Sequence, residues 1–350
     1  MRLMWWILLL LASNTGITHA ASFNCAKAKS PQEIAICSSP ALSEADEQMA
    51  TAYQAWLTAA QPEWSDGIRA NQRAWLRARA ADCPAHLAAE QMLSCLGDAY
   101  RARIEDLRQM IQRKAGLTFV LRSITLTAPD TPGDNPIGVQ EENPGFGTLS
   151  ASWPQATGNT LEWSAWNHAI EDSTRESAMD SGYSANSPKG QWSAVHGVDS
   201  ETTASIGVVS ERLVTATIAS LWDGHGAHPN HASVEFNWLL QQERALKPED
   251  IFIPASGWDR WMLERIDRYL HHTLDTEMSG NYKSWFQPGE AQKVLNGIVM
   301  NPRRWQLNDT GLTIIFQPYE VACYACTPEP MTIPWKDMKS YLNPAFEIPR

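Results

Sequence analysis

Cysteine spacing is the feature that most constrains the fold of this chain. The six cysteines are Cys25, Cys37, Cys83, Cys95, Cys323 and Cys326. An even number in an exported chain predicts disulfide bonds rather than a metal or thiol-catalysis set. The first four can pair in three ways. We favour Cys25–Cys37 and Cys83–Cys95, because each pair joins segments that are already close in sequence. An oxidising compartment outside the cytoplasm is therefore expected.

The first 20 residues predict a removable export signal. Arg2 precedes the apolar run Leu3–Ala12, and Thr18-His19-Ala20 places small residues where a signal peptidase cuts. Ten apolar residues are too few to cross about 30 Å of hydrocarbon as a helix. We expect a periplasmic or secreted protein that begins near Ala21 and has no stable membrane span after cleavage.

Charge is distributed unevenly along the chain. Residues 22–114 carry 11 basic and 11 acidic side chains, whereas residues 115–350 carry 16 and 28, so an excess of 12 negative charges lies in the second part. An acidic surface argues against nucleic acid as a partner. It favours encounter with a cationic macromolecule. The alternative is that the charge only keeps the protein soluble.

Residues 21–114 predict a small helical domain. Ser43 can cap its first helix, and Met49, Tyr53 and Trp56 have the spacing of one apolar helix face. Two further amphipathic helices are expected, over Ile68–Leu76 and Leu96–Ile111. Three helices of this size build only a shallow core, so disulfide bonds would supply the missing stability.

From residue 115 onward, predicted strands and helices occur in separate runs. The predicted strands cover residues 118–127, 148–153, 202–209, 212–221, 234–240, 312–316, 319–323 and 331–334. The predicted helices cover residues 161–179, 258–274 and 335–341. Separate runs predict an α+β fold rather than a wound parallel sheet. We expect a disulfide-braced helical domain over residues 21–114 and then a larger α+β domain over residues 115–350, with an antiparallel sheet and packed helices.

A set of cysteine, aromatic and charged positions spans the first domain. The set comprises Cys25, Ala35-Ile36-Cys37, Leu42, Asp46, Tyr53, Gln72, Trp75, Arg79, Cys83, Cys95-Leu96 and Tyr100-Arg101-Ala102-Arg103. In these residues the domain resembles the N-terminal domain of the LprI family of lysozyme inhibitors. The resemblance implies lysozyme as a partner.

A second set of segments spans the larger domain. It comprises Gly226-Ala227-His228-Pro229-Asn230, Leu246-Lys247-Pro248-Glu249-Asp250-Ile251-Phe252, Phe316-Gln317-Pro318-Tyr319-Glu320-Val321 and Thr332-Ile333-Pro334-Trp335. In these segments the domain resembles the extracytoplasmic domain of RsiV, an anti-sigma factor whose family senses lysozyme by binding it. Residues 148–180, with Trp153-Pro154-Gln155, resemble a deacetylase-associated domain.

Two departures restrict what the second resemblance implies. RsiV-like regulators have a membrane helix and a cytoplasmic sigma-binding part, for which this sequence offers no match, so signalling by regulated proteolysis is not expected. Cys323 and Cys326 also stand where the family has other residues, so their pairing is a local feature of this sequence.

A histidine-rich segment between two predicted strands is the sharpest local pattern. Its histidines could supply metal nitrogens, but the intervening glycines and proline prevent a helix that would stack them on one face. We therefore predict neither a metal site nor a cofactor. A rigid hairpin loop is expected instead, either purely structural or a protruding contact for a partner. The residues that would make such a contact are Asp223, His225, His228, Asn230 and His231.

The remaining chemistry-bearing residues favour binding over catalysis. A redox role for Cys323 and Cys326 would need a thiolate stabilised by a helix N-terminus or by cations. Glu320 and Glu329 flank the pair instead, so a disulfide that closes a turn is expected, and a zinc site shared with the histidines is the alternative. No nucleophile elbow or phosphate-cradling loop is found in the sequence, and we expect no enzyme activity.

Our leading hypothesis is a non-enzymatic envelope protein that binds and inhibits lysozyme-like muramidases. In it, the Asp223–His231 loop enters the enzyme's cleft, where His228 donates to a carboxylate, and the helical domain adds a second contact or inhibits independently. An alternative is a peptidoglycan-binding accessory module that stacks tryptophans on sugars, although most tryptophans pack in cores. A metal-dependent hydrolase that uses the histidine loop comes third.

Overall fold

The structure is a computed structural model that describes residues 21–129, 146–158, 160–179, 198–224, 226–277 and 282–349. It divides into two compact units. The first unit holds the described residues up to Thr58 together with Gln72–Gln109, and the second holds Ala59–Asn71 and the described residues from Met110 onward. The predicted export signal lies outside the described residues. The predicted domain limits at residues 114 and 115 stay a prediction.

The N-terminal part of the chain is helical, as its amphipathic pattern predicts. The helices are α1 (Pro31–Ser38), α2 (Pro40–Ala59), α3 (Ser65–Asp82) and α4 (Ala89–Gln109). A capping box starts α1, because Ser30 Oγ accepts from the Glu33 amide and Glu33 Oε2 accepts from the Ser30 amide. The cap predicted at Ser43 is wrong. Helix α2 already begins at Pro40, a residue suited to a first turn, and the Ser43 hydroxyl donates to the Ile36 carbonyl at 2.8 Å.

Apolar stripes and disulfides hold the first unit together. Met49 and Trp56 are buried on the predicted face of α2. The two predicted disulfides of this unit are confirmed. Cys25–Cys37 ties the single turn before α1 to that helix, and Cys83–Cys95 ties the segment after α3 to α4. Each bond closes a short loop, which restricts the unfolded chain.

The second unit contains a seven-stranded sheet. In spatial order its strands are β1 (Ile111–Lys114), β2 (Leu117–Pro129), β3 (Phe146–Ala156), β4 (Asp199–Val209), β5 (Leu213–Asp223), β6 (Asn230–Leu239) and β7 (Arg244–Ala245). Helix α5 (Leu161–Met179) lies between β3 and β4 in sequence and packs its Trp166 among buried apolar side chains of the sheet.

The α+β fold is confirmed, with one correction to the predicted antiparallel sheet. Strands β3 and β4 pair in parallel, with Ala151 opposite Thr202, and the other neighbours are antiparallel. A parallel pair requires a crossover connection of about a dozen residues or more. The connection that contains α5 supplies this length, so the chain can return to the same end of the sheet.

The helix predicted to reach Ile111 ends earlier, at Gln109. Ile111 instead belongs to β1 and pairs with Val120 of β2. Ala115 and Gly116, with φ values of 50° and 76°, form the two-residue turn of this hairpin. Left-handed backbone at both turn positions matches the twist of the flanking strands, so the turn fixes the hairpin even though Ile111 continues the helical apolar pattern.

The C-terminal part of the second unit places helices around a small sheet. Its elements are α6 (Pro248–Ile251), α7 (Trp258–Glu277), α8 (Glu290–Val299), β8 (Trp305–Leu307), β9 (Gly311–Ile314), β10 (Met331–Pro334) and α9 (Trp335–Met338). The sheet has three antiparallel strands in the order β10-β9-β8. The strand predicted over residues 319–323 is wrong, because a left-handed φ of 62° at Tyr319 turns the backbone. The last helix ends at Met338, before the predicted residue 341.

Hydrogen bonds fix the position of the C-terminal segments relative to β6. The Ser233 amide donates to Gln317 Oε1, and Gln317 Nε2 donates to the Ser233 carbonyl, both at 2.9 Å. Farther along the strand, Asn237 Nδ2 donates to the Trp305 carbonyl at 2.8 Å. The segment around Gln317 is thereby held against β6. Within the described residues, no helix has the length and apolarity needed to cross a membrane.

Candidate partner-binding site

The predicted histidine loop is the turn between β5 and β6. Strand β5 ends at Asp223 and β6 begins at Asn230, as the predicted hairpin requires. The segment Gly226–Pro229 is exposed, His231 is exposed and Asn230 is half-buried. His225 lies outside the described residues. The loop is therefore at the surface, where a partner could reach its side chains.

Two tyrosines from the C-terminal segment meet the histidines of this loop. The His228 and Tyr324 rings stack with centroids 4.2 Å apart and planes at 30°. His231 meets the same ring edge-on, with centroids 5.4 Å apart. His228 Nε2 lies 3.1 Å from the Tyr319 hydroxyl, and His231 Nδ1 lies 3.1 Å from the Tyr324 hydroxyl. We call His228, His231, Tyr319 and Tyr324 the Tyr–His cluster.

The partners of the imidazoles determine which nitrogen atoms can bind a further group. His228 Nδ1 lies 2.8 Å from the Pro229 carbonyl, which can only accept, so this nitrogen donates. In the neutral ring, Nε2 then accepts from the Tyr319 hydroxyl. Both His228 nitrogens are used within the cluster. No contact within the described part of the chain engages His231 Nε2, so His231 is better placed than His228 to donate to a partner.

Backbone geometry and a disulfide position the two tyrosines. Tyr319 is held in a left-handed conformation and is 50% exposed. Tyr324 starts the single turn Tyr324–Cys326, which the bond between Cys323 and Cys326 encloses. Neither tyrosine is predicted from the sequence to be a site residue. Tyr324 was marked only by its position between two cysteines.

A half-buried ion pair stabilises the turn that carries Tyr319. Arg304 Nη2 donates to Glu320 Oε1 at 2.6 Å, and the Gln317 amide donates to Glu320 Oε2 at 3.0 Å. Burial lowers the pKa of Arg304 and raises the pKa of Glu320, while the mutual attraction of the pair opposes both changes. Removing one partner would leave a half-buried charge without its counterion, which is destabilising.

Acidic side chains lie on β4, β5 and β6, the strands next to the loop and their neighbour. Asp223 is directly opposite Asp199 in the register of β4 and β5, and both are half-buried. Glu235, farther along β6, is buried and accepts from Thr217 Oγ1 at 2.9 Å. Burial raises the pKa of Glu235 to about 7. No group of three or more histidine, cysteine, aspartate or glutamate side chains among the described residues could hold a metal ion.

The first unit offers a second surface, a groove between α2 and α4. Small residues line it, namely Ala41, Ala45, Gly97 and Ala102, and Leu93, which also lines it, is 40% exposed. Salt bridges border the groove, including one between Asp98 and Arg101 at 2.8 Å. Such a groove could receive an apolar side chain of a partner, while the charged residues at its border orient the partner's charged groups.

A buried hydrogen-bond network lies inside the same helices. The Tyr100 hydroxyl donates to Asp46 Oδ1 at 2.6 Å and accepts from Arg79 Nη1 at 2.5 Å. Asp46 Oδ2 accepts from the amide and hydroxyl of Ser22, at 2.7 and 2.5 Å. Burial and the bond to Asp46 raise the pKa of Tyr100 well above its ordinary value. The network ties the chain before α1 to α2, α3 and α4.

Most charged and polar residues that carry the LprI resemblance lie in this interior. Arg103 is buried and donates to Gln72 Oε1 at 2.8 Å, and Gln72 itself is buried beside Met49. Arg79 and Arg103 lie over the Trp75 ring. These residues, with Asp46 and Tyr100, form the scaffold of the helices. Contact with a partner would come from exposed residues around them.

Comparisons with known proteins match two separate parts of the chain. The family model described as lysozyme inhibitor LprI matches residues 24–107. The family model described as a protein of unknown function, DUF3298, matches residues 249–336, which include Tyr319 and Tyr324 but not the histidine loop. No curated protein matches the chain.

Two crystal structures are similar to the chain. One is of a DUF3298 family protein from Pseudomonas aeruginosa PAO1, with 15% identity, a TM-score of 0.44, and coverage of 65% of this chain and 95% of that chain. The other is of a DUF3298 family member from Bacteroides fragilis NCTC 9343, with 16% identity, a TM-score of 0.40, and coverage of 66% and 96%. From the two family matches, the chain joins an LprI domain at residues 24–107 to a DUF3298 domain, the RsiV-like domain, at residues 249–336.

Proposed function

We propose that this protein binds and inhibits lysozyme-like muramidases outside the cytoplasm, without performing catalysis itself. The observation that carries the proposal is the LprI match, which extends from before Cys25 to within α4. It therefore includes both disulfides of the first unit and, apart from Ser22, the buried network around Asp46. The matched region thus contains both disulfides and most of the buried polar side chains that hold its helices together.

Charge supports the choice of partner. Lysozyme-like muramidases are typically cationic, and residues 115–350 carry 28 acidic against 16 basic side chains. Opposite charge speeds diffusional encounter and helps to select the partner. Half-buried Asp223 and Asp199 extend this negative charge to the region of the histidine loop. Added salt should therefore weaken the association.

The Tyr–His cluster is the contact that we propose for the second unit. Its aromatic rings present large, rigid surfaces, which are common anchors at interfaces. In our proposal His231 Nε2 donates to a carboxylate in the enzyme's cleft, and His228 holds Tyr319 and Tyr324 in place. Asp223, His225 and Asn230 would border this contact. The groove between α2 and α4, with exposed Leu93, would provide the contact of the first unit.

The proposal is tested by titrating the mature protein with purified lysozyme in a calorimeter and by following lysis of a cell-wall suspension. We expect binding at low salt and slower lysis. His231→Ala should weaken binding about tenfold, the effect of one good hydrogen bond to a charged group. His272→Ala, a change at an exposed histidine of α7, should leave the affinity unchanged. Absence of both binding and inhibition at low salt would refute the proposal.

A further inference from the structure

A surface cleft in the second unit has an exposed tryptophan on its wall. Of the tryptophans that the structure describes, Trp285 alone is exposed, at 41%. It ends the single turn Tyr282–Trp285 and lines a cleft of about 610 Å³. This volume is within the usual range of small-molecule sites, roughly 300–1,000 Å³. A large apolar ring that could be buried in a core is instead available to a ligand.

A second aromatic ring lines the same cleft. Tyr319 is 50% exposed, and its left-handed φ of 62° is unfavourable for a residue with a side chain. Such backbone strain is common at ligand sites, where the surrounding structure maintains it. The Tyr319 hydroxyl is 3.1 Å from His228 Nε2, so the position of its ring is fixed. The cleft thus has two exposed aromatic walls.

Planar polar groups line the same cleft. The paired side chains of Arg304 and Glu320 line the cleft, as does Asn301, whose Oδ1 accepts from the Arg303 amide at 3.0 Å. These groups combine donors and acceptors that are already oriented. Aromatic faces with a few oriented polar groups are what a ligand needs when it has one apolar face and several hydroxyls.

A glycine also lines the cleft. Gly297 lies inside α8, where glycine is unfavourable relative to alanine. A Cβ built at Gly297 would meet no atom within 4 Å. No packing constraint therefore requires glycine here, and its consequence is extra room in the cleft. Glu290 adds one carboxylate at the edge, so a strongly anionic ligand is disfavoured.

We propose that this cleft binds the pyranose rings of a neutral oligosaccharide, with sugar faces against Trp285 and Tyr319 and hydroxyls on Asn301 and the Arg304–Glu320 pair. The site goes beyond the proposed function, because it takes a glycan rather than a muramidase. It would hold the protein on a polysaccharide without any catalytic step. The hydroxyl-rich edges and apolar faces of pyranose rings match the two kinds of wall.

Calorimetric titration of the mature protein with two trisaccharides tests the proposal. One consists of N-acetylglucosamine and the other of glucose, both β-1,4-linked, so the comparison shows which kind of glycan is preferred. We expect millimolar or tighter binding of at least one. A weak small-molecule site has a Kd of about 1 mM. If neither trisaccharide binds at about 10 mM, tenfold above that Kd, the proposal is overturned.

A cleft-filling substitution tests the location. Gly297→Leu should fill part of the cleft and weaken saccharide binding at least tenfold, while the melting temperature stays equal or rises. Gly67→Leu is the matched control, because Gly67 is also a helical glycine with open space around a Cβ but lies outside the cleft. Saccharide binding by Gly297→Leu at wild-type strength would overturn the assignment.

Removal of the exposed ring gives an independent test. Trp285→Ala should weaken saccharide binding at least tenfold, and Leu161→Ala, which truncates an exposed leucine of α5, should leave it unchanged. Neither change should alter lysozyme binding, so failure of this inference is distinguishable from failure of the proposed function. A folded Trp285→Ala variant with unchanged saccharide affinity would contradict the proposal.

Discussion

The imidazole of His228 stacks on the phenol ring of Tyr324, with 4.2 Å between the ring centroids. The contact joins a loop between two strands of the large sheet to a turn closed by a disulfide. It also brings together a residue outside the DUF3298 match and a residue inside it. Because the Tyr–His cluster is assembled from two chain segments, a change in either segment should affect binding by the whole cluster.

Truncation of the shared tyrosine should weaken lysozyme binding more than removal of its hydroxyl. Tyr324→Ala removes the ring that both histidines contact, so we expect a loss of about 2 kcal/mol in binding free energy, near thirtyfold in affinity. Tyr324→Phe keeps the stacked ring and loses only the bond to His231, so its effect should be about half as large in free energy. Calorimetric titration with lysozyme measures both. Equal, wild-type affinities in folded variants would exclude the Tyr–His cluster from the interface.

The disulfides should differ in what they stabilise. Replacing both Cys25 and Cys37 by serine should lower the free energy of unfolding of the first unit by about 3 kcal/mol, from the length of the loop that the bond closes. The same replacement at Cys323 and Cys326 opens a much shorter loop and should cost about 2 kcal/mol or less. Urea unfolding measures both costs. Only the second replacement should weaken lysozyme binding through Tyr324, and an unchanged affinity would show that the bond does not position the ring.

The buried carboxylate of the first unit should be important for its stability. Asp46→Ala leaves the Tyr100 hydroxyl and the Ser22 groups without their acceptor, so we expect a loss of about 3 kcal/mol in the free energy of unfolding. Glu44→Ala, an exposed change on the same helix, should remain within about 0.5 kcal/mol. Urea titrations of the two variants provide the comparison. Similar values for both would mean that the network contributes little.

Glu235 should make the stability of the protein depend on pH. Its folded-state pKa of about 7 is above the ordinary value of 4.5. The folded protein thus binds the proton more tightly, and this stabilising contribution is complete below about pH 4.5 and is lost as the pH rises through about 7. Glu235→Gln has no such loss.

Relative to the wild type, Glu235→Gln should therefore be more stable by about 3 kcal/mol at pH 8, and the gain should vanish near pH 4. Urea unfolding of the variant and the wild type at both pH values measures how their difference in unfolding free energy changes with pH. Glutamine can still accept from Thr217, so the variant isolates the charge. A gain that is the same at both pH values would show that burial does not perturb the carboxyl group.

The parts of the fold that depend on local spacing could be predicted from the sequence. The disulfide pairs of the first unit follow from the closeness of their cysteines in sequence, and the apolar face of α2 follows from the spacing of Met49 and Trp56. The turn at Ala115 and Gly116 could not be foreseen from periodicity, because Ile111 continues the helical apolar pattern. Backbone conformation at the turn decides the outcome there. The parallel pairing of β3 and β4 depends on long-range contacts, which local patterns do not contain.

The histidine half of the candidate site could be predicted, and the tyrosine half could not. His228 and His231 are close together in sequence and mark their loop by unusual composition. Tyr319 and Tyr324 are more than 80 positions away from them, and nothing local connects the two segments. The prediction that His228 donates to a partner rested on residue type alone. Its hydrogen bonds to Pro229 and Tyr319 transfer that role, in our proposal, to His231.

The contact between Ser22 and Asp46 has a practical consequence for protein production. Ala21 is buried, and both polar groups of Ser22 are bound to the Asp46 carboxylate. A purification handle fused directly ahead of Ala21 would begin at a buried residue and could disturb the hydrogen bonds between Ser22 and Asp46. Recombinant material in which a handle replaces the predicted export signal should therefore carry a spacer ahead of Ala21 before its melting temperature is measured.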